Sequence, residues 1–258
     1  FLSAVNTAAA ENGYDVLLSA ATSSSQELKI YERLVGETQV DGLVLMGVRS
    51  DDPRVERLLA LDFPFVTYGR TARSDPYAYV DVDGAAGVRA AIQHLVGLGH
   101  RRSAYLCPPD GLMLTEQRWQ GVVKAFEENG LELNDDYLIP CGFSERSGQV
   151  AMHVLLDLPK PPSAVITPND LAAFGAMRAM QMRGATAGKD ISVIGFDDIK
   201  LAAHWNPSLT TVAQPFRQIG FETVKALLAL INGASVPPQV LIEPRLVVRQ
   251  SSGPAPAG

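Results

Sequence analysis

The stretch Ile191–Phe216, ISVIGFDDIKLAAHWNPSLTTVAQPF, decides how the rest of the chain is read. It opens with an apolar run, Ile191–Phe196, that stops on two carboxylates, Asp197 and Asp198. An unbroken apolar run of strand length, charged only at its C-terminal end, reads as a parallel strand buried on both faces. In open α/β folds, ligands gather at the carboxyl ends of such strands. The two acids therefore stand where a polar small molecule would meet them. Ionised carboxylates only accept hydrogen bonds, which suits a ligand rich in O–H donors. Asp197 is read as that acceptor and Asp198 as a turn or cap residue.

Outward from this stretch the chain alternates strand and helix signals. Further candidate strands are Asp15–Ser19, Gly42–Met46, Phe63–Thr67, Ser103–Leu106 and Ala164–Thr167. Between them, Val88, Ala91, Ile92, Leu95 and Val96 form one apolar helical face, and Val224, Leu227, Leu228 and Ile231 form another. Asp52 before Pro53 reads as an N-cap with proline in the first turn, Asp83 as the cap of the next helix, and Gly99 as a stop after a Gly84–Leu98 helix. Strands alternating with helices predict class α/β with parallel sheets. The polar stretch Thr71–Tyr79 (TARSDPYAY) breaks the pattern and reads as the approach to a domain boundary. The tail SSGPAPAG reads as a frayed end.

Composition narrows the functional classes. With 258 residues, 47% of them hydrophobic and 19% charged, the chain is ordinarily globular, one large or two medium domains. A net charge of −6 leaves no global basic footprint for nucleic acid. No apolar run has the length of a membrane span. Two cysteines, Cys107 and Cys141, suit a reduced cytoplasmic setting better than a disulfide framework. The four histidines lack metal-ligand spacing, and the VDVDG acids Asp81 and Asp83 lack the remaining ligands of a calcium loop. Nucleophile-elbow, P-loop, zincin and dinucleotide motifs are missing, so no enzyme, metal or cofactor is expected.

Several residues near predicted strand ends suit ligand contact. Asn169 and Asp170 follow the Ala164–Thr167 strand; either also suits a plain helix cap. Arg118, in TEQRWQG, is a solvated helix charge or a fork of five donors leaning over the strand ends. Tyr79, Phe143 and Phe216 are core aromatics or platforms for a sugar's C–H faces. An arginine, an asparagine, an aspartate and several aromatics fit carbohydrate binding better than catalysis.

Five segments, VDVDGAAGVRAAIQHLVGLGHRRSAYL (Val80–Leu106), EQRWQG (Glu116–Gly121), ITPNDLAAFGAM (Ile166–Met177), ISVIGFDD with LTTVAQP (Ile191–Pro215) and LVVRQSS near the end, together resemble the lactose-repressor/galactose-repressor (LacI/GalR) family of transcriptional regulators. The resemblance implies a type I periplasmic-binding-protein-like fold, two parallel-sheet subdomains joined by three crossover strands. It places the crossings near Val80–Asp83, Ala213–Phe216 and Ile242–Arg245, and the subdomains at 1–80 with 215–242 and 83–212 with 245–251. By the same likeness Arg118 matches the effector-gripping arginine, Asp197 the hydroxyl-accepting aspartate and Asn169 the cleft asparagine. Phe143 matches an aromatic under the sugar, and Tyr79, Gln214 and Phe216 match further pocket positions. Gly69–Arg70 stand where the lactose repressor has an aspartate, which points away from lactose and makes Arg70 a candidate contact. GLMLTEQR resembles regulators of α-glucoside use.

The expected function is therefore a small-carbohydrate effector domain that forms a homodimer. It would meet operator DNA only through an N-terminal headpiece that these residues do not include. A first β-strand of the N-terminal subdomain is likewise expected upstream of Phe1. The alternatives are a periplasmic sugar carrier of a transporter and, more remotely, a sugar-modifying hydrolase. The helix Leu171–Met182, apolar almost all round, is expected to bury a second side against another helix of the chain or a twofold partner.

Overall fold

The computed structural model describes residues 1–21, 24–37, 39–74, 76–235 and 237–256, leaving aside the side chains of Ser24, Ser25, Leu28 and Glu32. Asp75, inside the polar Thr71–Tyr79 stretch, thus lies outside the described residues. In chain order the elements are α1 (Leu2–Glu11), α2 (Ser24–Gly36), β1 (Leu43–Leu45), α3 (Pro53–Ala60), β2 (Phe65–Tyr68), β3 (Ala78–Val82), α4 (Gly84–Gly97), β4 (Ser103–Cys107), α5 (Met113–Glu128), β5 (Leu138–Pro140), α6 (Glu145–Leu156), β6 (Ala164–Ile166), α7 (Asp170–Met182), β7 (Ser192–Asp197), α8 (Lys200–His204), β8 (Thr210–Ala213), α9 (Phe216–Ile231), β9 (Gln239–Ile242) and β10 (Arg245–Val247). By contacts the chain forms two compact units, Phe1–Val82 with Pro215–Ile242 and Asp83–Gln214 with Glu243–Gly258.

The first unit holds a sheet of order β1-β2-β3-β9, parallel throughout. Alternate residues take opposite faces. Val66, Val80 and Val82 pack with Ile219 and Ala226 of α9, whereas Leu45 and Phe65 pack with Val55 and Leu58 of α3. Asp52 caps α3 as expected, accepting from the Arg54 amide. It also binds the Arg54 guanidinium, which reaches the carbonyls of Met46 and Gly47 and so ties α3 to the end of β1. Burial opposes ionisation of Asp52, but the bonds from Arg54 and the Arg49 amide win and hold its carboxyl below the usual range.

One expected strand is not formed. Asp15–Ser19 is irregular and exposed, with Leu17 at 62% and Leu18 at 68%. A strand needs a neighbour to accept its backbone bonds. A groove of about 800 Å³, lined by Tyr14–Leu18 and by Leu43, Val44, Leu227 and Ile231, runs instead along this segment and β1.

The second unit holds a sheet of order β10-β8-β7-β6-β4-β5, parallel except for antiparallel β10. Ala104, Leu106, Val165 and Val193 face α6 and α7; Tyr105, Ala164, Ile166, Ile194 and Phe196 face α4 and α5. Both faces are covered, which is why these strands read as continuous apolar runs. Asp83 caps α4, and Gly99 follows it at φ +90°, as the sequence predicts.

The second apolar side of α7 is buried against α6. The two helices approach so closely that a Cβ on Gly175 would lie 1.8 Å from the Glu145 carbonyl oxygen. Met177 and Met180 are core residues, whereas Met182 is 63% exposed. Met177 and Met180 therefore reflect packing within the chain.

The tail is not frayed through Ala255. The Ser251 hydroxyl donates to the Val193 carbonyl, Ser252 meets the His94 ring, and the Ala255 amide donates to Leu98. Short hydroxyls that reach backbone groups hold a polar tail that apolar patterning does not reveal.

Candidate functional site

Five of the predicted contacts belong to the second unit, and each follows a parallel strand. Arg118 is in α5 after β4, Phe143 in the loop after β5, Asn169 after β6, Asp197 at the end of β7 and Gln214 after β8. The fold thus collects residues far apart in sequence along the carboxyl edge of one sheet.

Arg118 is only 7% exposed, so it is no solvated helix charge. Its guanidinium carbon lies 3.6 Å from the centroid of the Phe196 ring, and Nη1 donates to the Pro168 carbonyl at 2.7 Å. A desolvated cation over an aromatic face gains about 1–2 kcal/mol, which fixes the plane of the fork. Nε is buried with no hydrogen-bond partner among the described residues. Gly84 leaves room for the side chain, since a Cβ there would come within 3.1 Å of Arg118 Cγ.

Asp197 is partly exposed and adopts φ +116°. Its Oδ1 accepts from Gln214 Nε2 at 2.6 Å. Burial pushes the carboxyl up to about 6, against the opposing pull of Arg118 and the Gln214 bond. Near neutral pH it is a carboxylate with one oxygen engaged, ready to accept from a hydroxyl through the other. Asp198, at φ +55°, pairs with Arg249 at 2.7 Å, the turn role expected for it.

Asn169 is the N-cap of α7, accepting from the Ala172 amide through Oδ1, while Nδ2 donates to the Phe143 carbonyl. The cap therefore falls to Asn169 and not to Asp170. Phe143, half-buried, is joined by this bond to the start of α7.

Arg70, Tyr79 and Phe216 lie in the first unit. Arg70 Nε pairs with Asp81 at 3.1 Å, so Asp81 of the VDVDG motif serves an arginine. Tyr79, on β3, packs against Tyr77 with ring centroids 6.0 Å apart. Phe216 opens α9 and packs on the core beneath it.

Sequence reading overlooked two participants and left the role of a third, Asp170, open. Phe196 beneath Arg118 was hidden in the apolar run, and Arg249 opposite Asp198 lies at the far end of the chain. Asp170 is wholly buried and bonded to Thr211 and to the Ile199 amide. Its only sequence signal was an acid beside a cap that Asn169 already supplies. Among the described residues no group of three or more His, Cys, Asp or Glu could hold a metal, and no helix is long and apolar enough to cross a membrane.

Residues 92–252 match the family model described as a periplasmic binding protein-like domain. The HTH-type transcriptional regulator AglR of Rhizobium meliloti is 33% identical over 99% of this chain and 73% of its own length. A solved structure of the transcriptional regulator CelR in complex with cellobiose is 31% identical with a TM-score of 0.90, covering 97% of this chain and 77% of that one. The lac repressor dimer bound to operator and an anti-inducer is 27% identical with a TM-score of 0.88, covering 98% of this chain and 88% of that one.

Proposed function

Since this chain belongs to the LacI/GalR family of transcriptional regulators, as an effector-binding domain, we propose that its effector is a small carbohydrate gripped by Arg118 and Asp197. The observation that carries this reading is that a buried, ring-stacked guanidinium and a half-engaged carboxylate that feels its charge stand at the ends of one sheet's strands. One donates in a fixed fork and the other only accepts, the two demands of vicinal hydroxyls. Asn169, Phe143 and Gln214 complete the polar and aromatic surroundings in the second unit. An α-glucoside is the favoured class, supported by the GLMLTEQR segment and by the likeness to AglR. The effector acts by differential affinity for two states of the domain, and a DNA-binding headpiece reads the change. The molecule works in the cytoplasm as a homodimer.

Isothermal titration with maltose, sucrose, trehalose and cellobiose tests the reading. Arg118→Ala and Asp197→Ala should each weaken the bound sugar by about 2–3 kcal/mol, because a polar partner is left unpaired, a factor of roughly 30–150. Wild-type isotherms from either folded variant would refute the assignment.

A further inference from the structure

We propose that Asp170 is a positioning residue for Asp197, a buried carboxyl that never reaches the ligand but fixes the turn from which Asp197 addresses it. The inference rests on the reading of Asp197 given above.

Two consecutive non-glycine residues, Asp197 and Asp198, sit at φ +116° and +55°. Each such residue is strained and persists only where its surroundings over-determine it. Three side chains tie this turn down. Gln214 holds the Asp197 carboxyl and Arg249 holds Asp198, and both are partly exposed. The third is Asp170, at 0% exposure, whose Oδ2 accepts from the Ile199 amide at 2.8 Å. Its Oδ1 accepts from Thr211 of β8 at 2.5 Å. One carboxyl from the start of α7 thereby locks the β7–α8 turn to β8. The sheet is built around it: a Cβ on Gly195 would lie 2.3 Å from Asp170 Oδ1. Since Asn169 caps α7, the helix does not need this carboxyl.

The charges acting on Asp170 are Asp197 and Asp198; Thr211 and the Ile199 amide are uncharged, and Arg249 is engaged by Asp198. Burial first, then the two acids, push Asp170 up to about 7, against both hydrogen bonds. It stays largely protonated while Asp197 titrates near 6. An amide at position 170 imitates that state, accepting from Ile199 with its oxygen and donating to Thr211 with its nitrogen.

Carboxyl ¹³C NMR provides the test, with the Asp197 signal assigned by its loss in Asp197→Asn. The wild-type midpoint should be about 6, and Asp170→Asn should stay near it. Asp170→Ala frees the turn into water and should lower the midpoint by at least a unit. Thr211→Val, which removes one anchor of Asp170 and conserves volume, should move it part of the way. With whichever of maltose or cellobiose binds, Asp170→Ala should weaken affinity tenfold or more, and should add nothing in an Asp197→Asn background. A purely structural role would lower the melting temperature and leave the midpoint in place. An unmoved midpoint in Asp170→Ala, or in Thr211→Val if the alanine variant fails to fold, overturns the proposal. If Asp197→Asn leaves sugar affinity unchanged while Asp170→Ala still shifts the titration, the ligand assignment fails and the positioning role stands.

Discussion

Replacing Gly175 by alanine sets two effects of opposite sign against each other. On propensity alone, alanine inside a helix gains about 1 kcal/mol over glycine. Here the new Cβ would lie 1.8 Å from the Glu145 carbonyl oxygen, 2.7 Å from its carbon and 2.9 Å from the Gln149 nitrogen. A tolerable carbon–oxygen approach is about 3.3 Å, so α6 and α7 must separate by ~1.5 Å. Every opposing atom is backbone, so no side chain can swing aside. Overpacking of this kind costs ~1–3 kcal/mol or more, and the separation also loosens Ala172, Phe174 and Met177. The net loss should be about 2 kcal/mol, a fall in melting temperature of roughly 4–8 °C for a protein of this size. Trp205, stacked on Phe174 at 4.4 Å, reports this packing by fluorescence during urea unfolding. Both tryptophans, Trp119 and Trp205, lie in the second unit, so the signal follows that unit alone. Gly97→Ala in α4, with nothing within 4 Å of its Cβ, is the control and should be neutral or stabilising. A Gly175→Ala protein as stable as wild type would show that the helices do not pack as described.

Two further outcomes are expected. The folded-state midpoint of Asp170 is raised to about 7, so the native state binds more protons than the unfolded chain between about pH 4 and 7; stability from this group therefore falls as pH rises through that window. Lowering pH from 7 to 5 should stabilise the second unit by about 2 kcal/mol through this group, and urea titrations of Asp170→Asn should lack that increment; equal increments in both proteins would contradict it. For the proposed homodimer, sedimentation at micromolar concentration should give about twice the 27.7 kDa chain mass. Val154→Glu with Met182→Glu, on the exposed surfaces of α6 and α7 (46% and 63% exposed), should yield a monomer, whereas a wild-type monomer at tens of micromolar would rule the dimer out.

The parts of the fold that were legible are those where local pattern and burial coincide. The runs around Val165 and Ile194 are covered on both faces, so their apolar sequence translates directly into central parallel strands. Asp52, Asp83 and Gly99 were legible because caps and stops are decided within a few residues. The strand expected at Asp15–Ser19 fails because strand formation depends on a neighbour as well as on composition. The short strand β5 escaped notice, and β9 and β10 were marked only by the crossing that the family resemblance placed near Ile242–Arg245, for the converse reason: Gln239–Ile242 is largely exposed and belongs to the sheet through its pairing with β3.

The candidate site divides along the same line. That Asp197 ends a buried strand is written in its neighbours, and so is its place at the sheet's carboxyl edge. Its chemistry is set elsewhere. Gln214 takes one of its oxygens, Arg118 opposes the burial that raises it, and Arg118 is itself oriented by Phe196 and Pro168. Asn169 and Asp170 make the limit plainest. Two adjacent residues with equal claims on one cap take opposite roles, one closing the helix and the other locking a turn 29 residues further on. Sequence spacing can nominate both, but only the partners across the sheet decide which residue closes the helix and which one locks the turn.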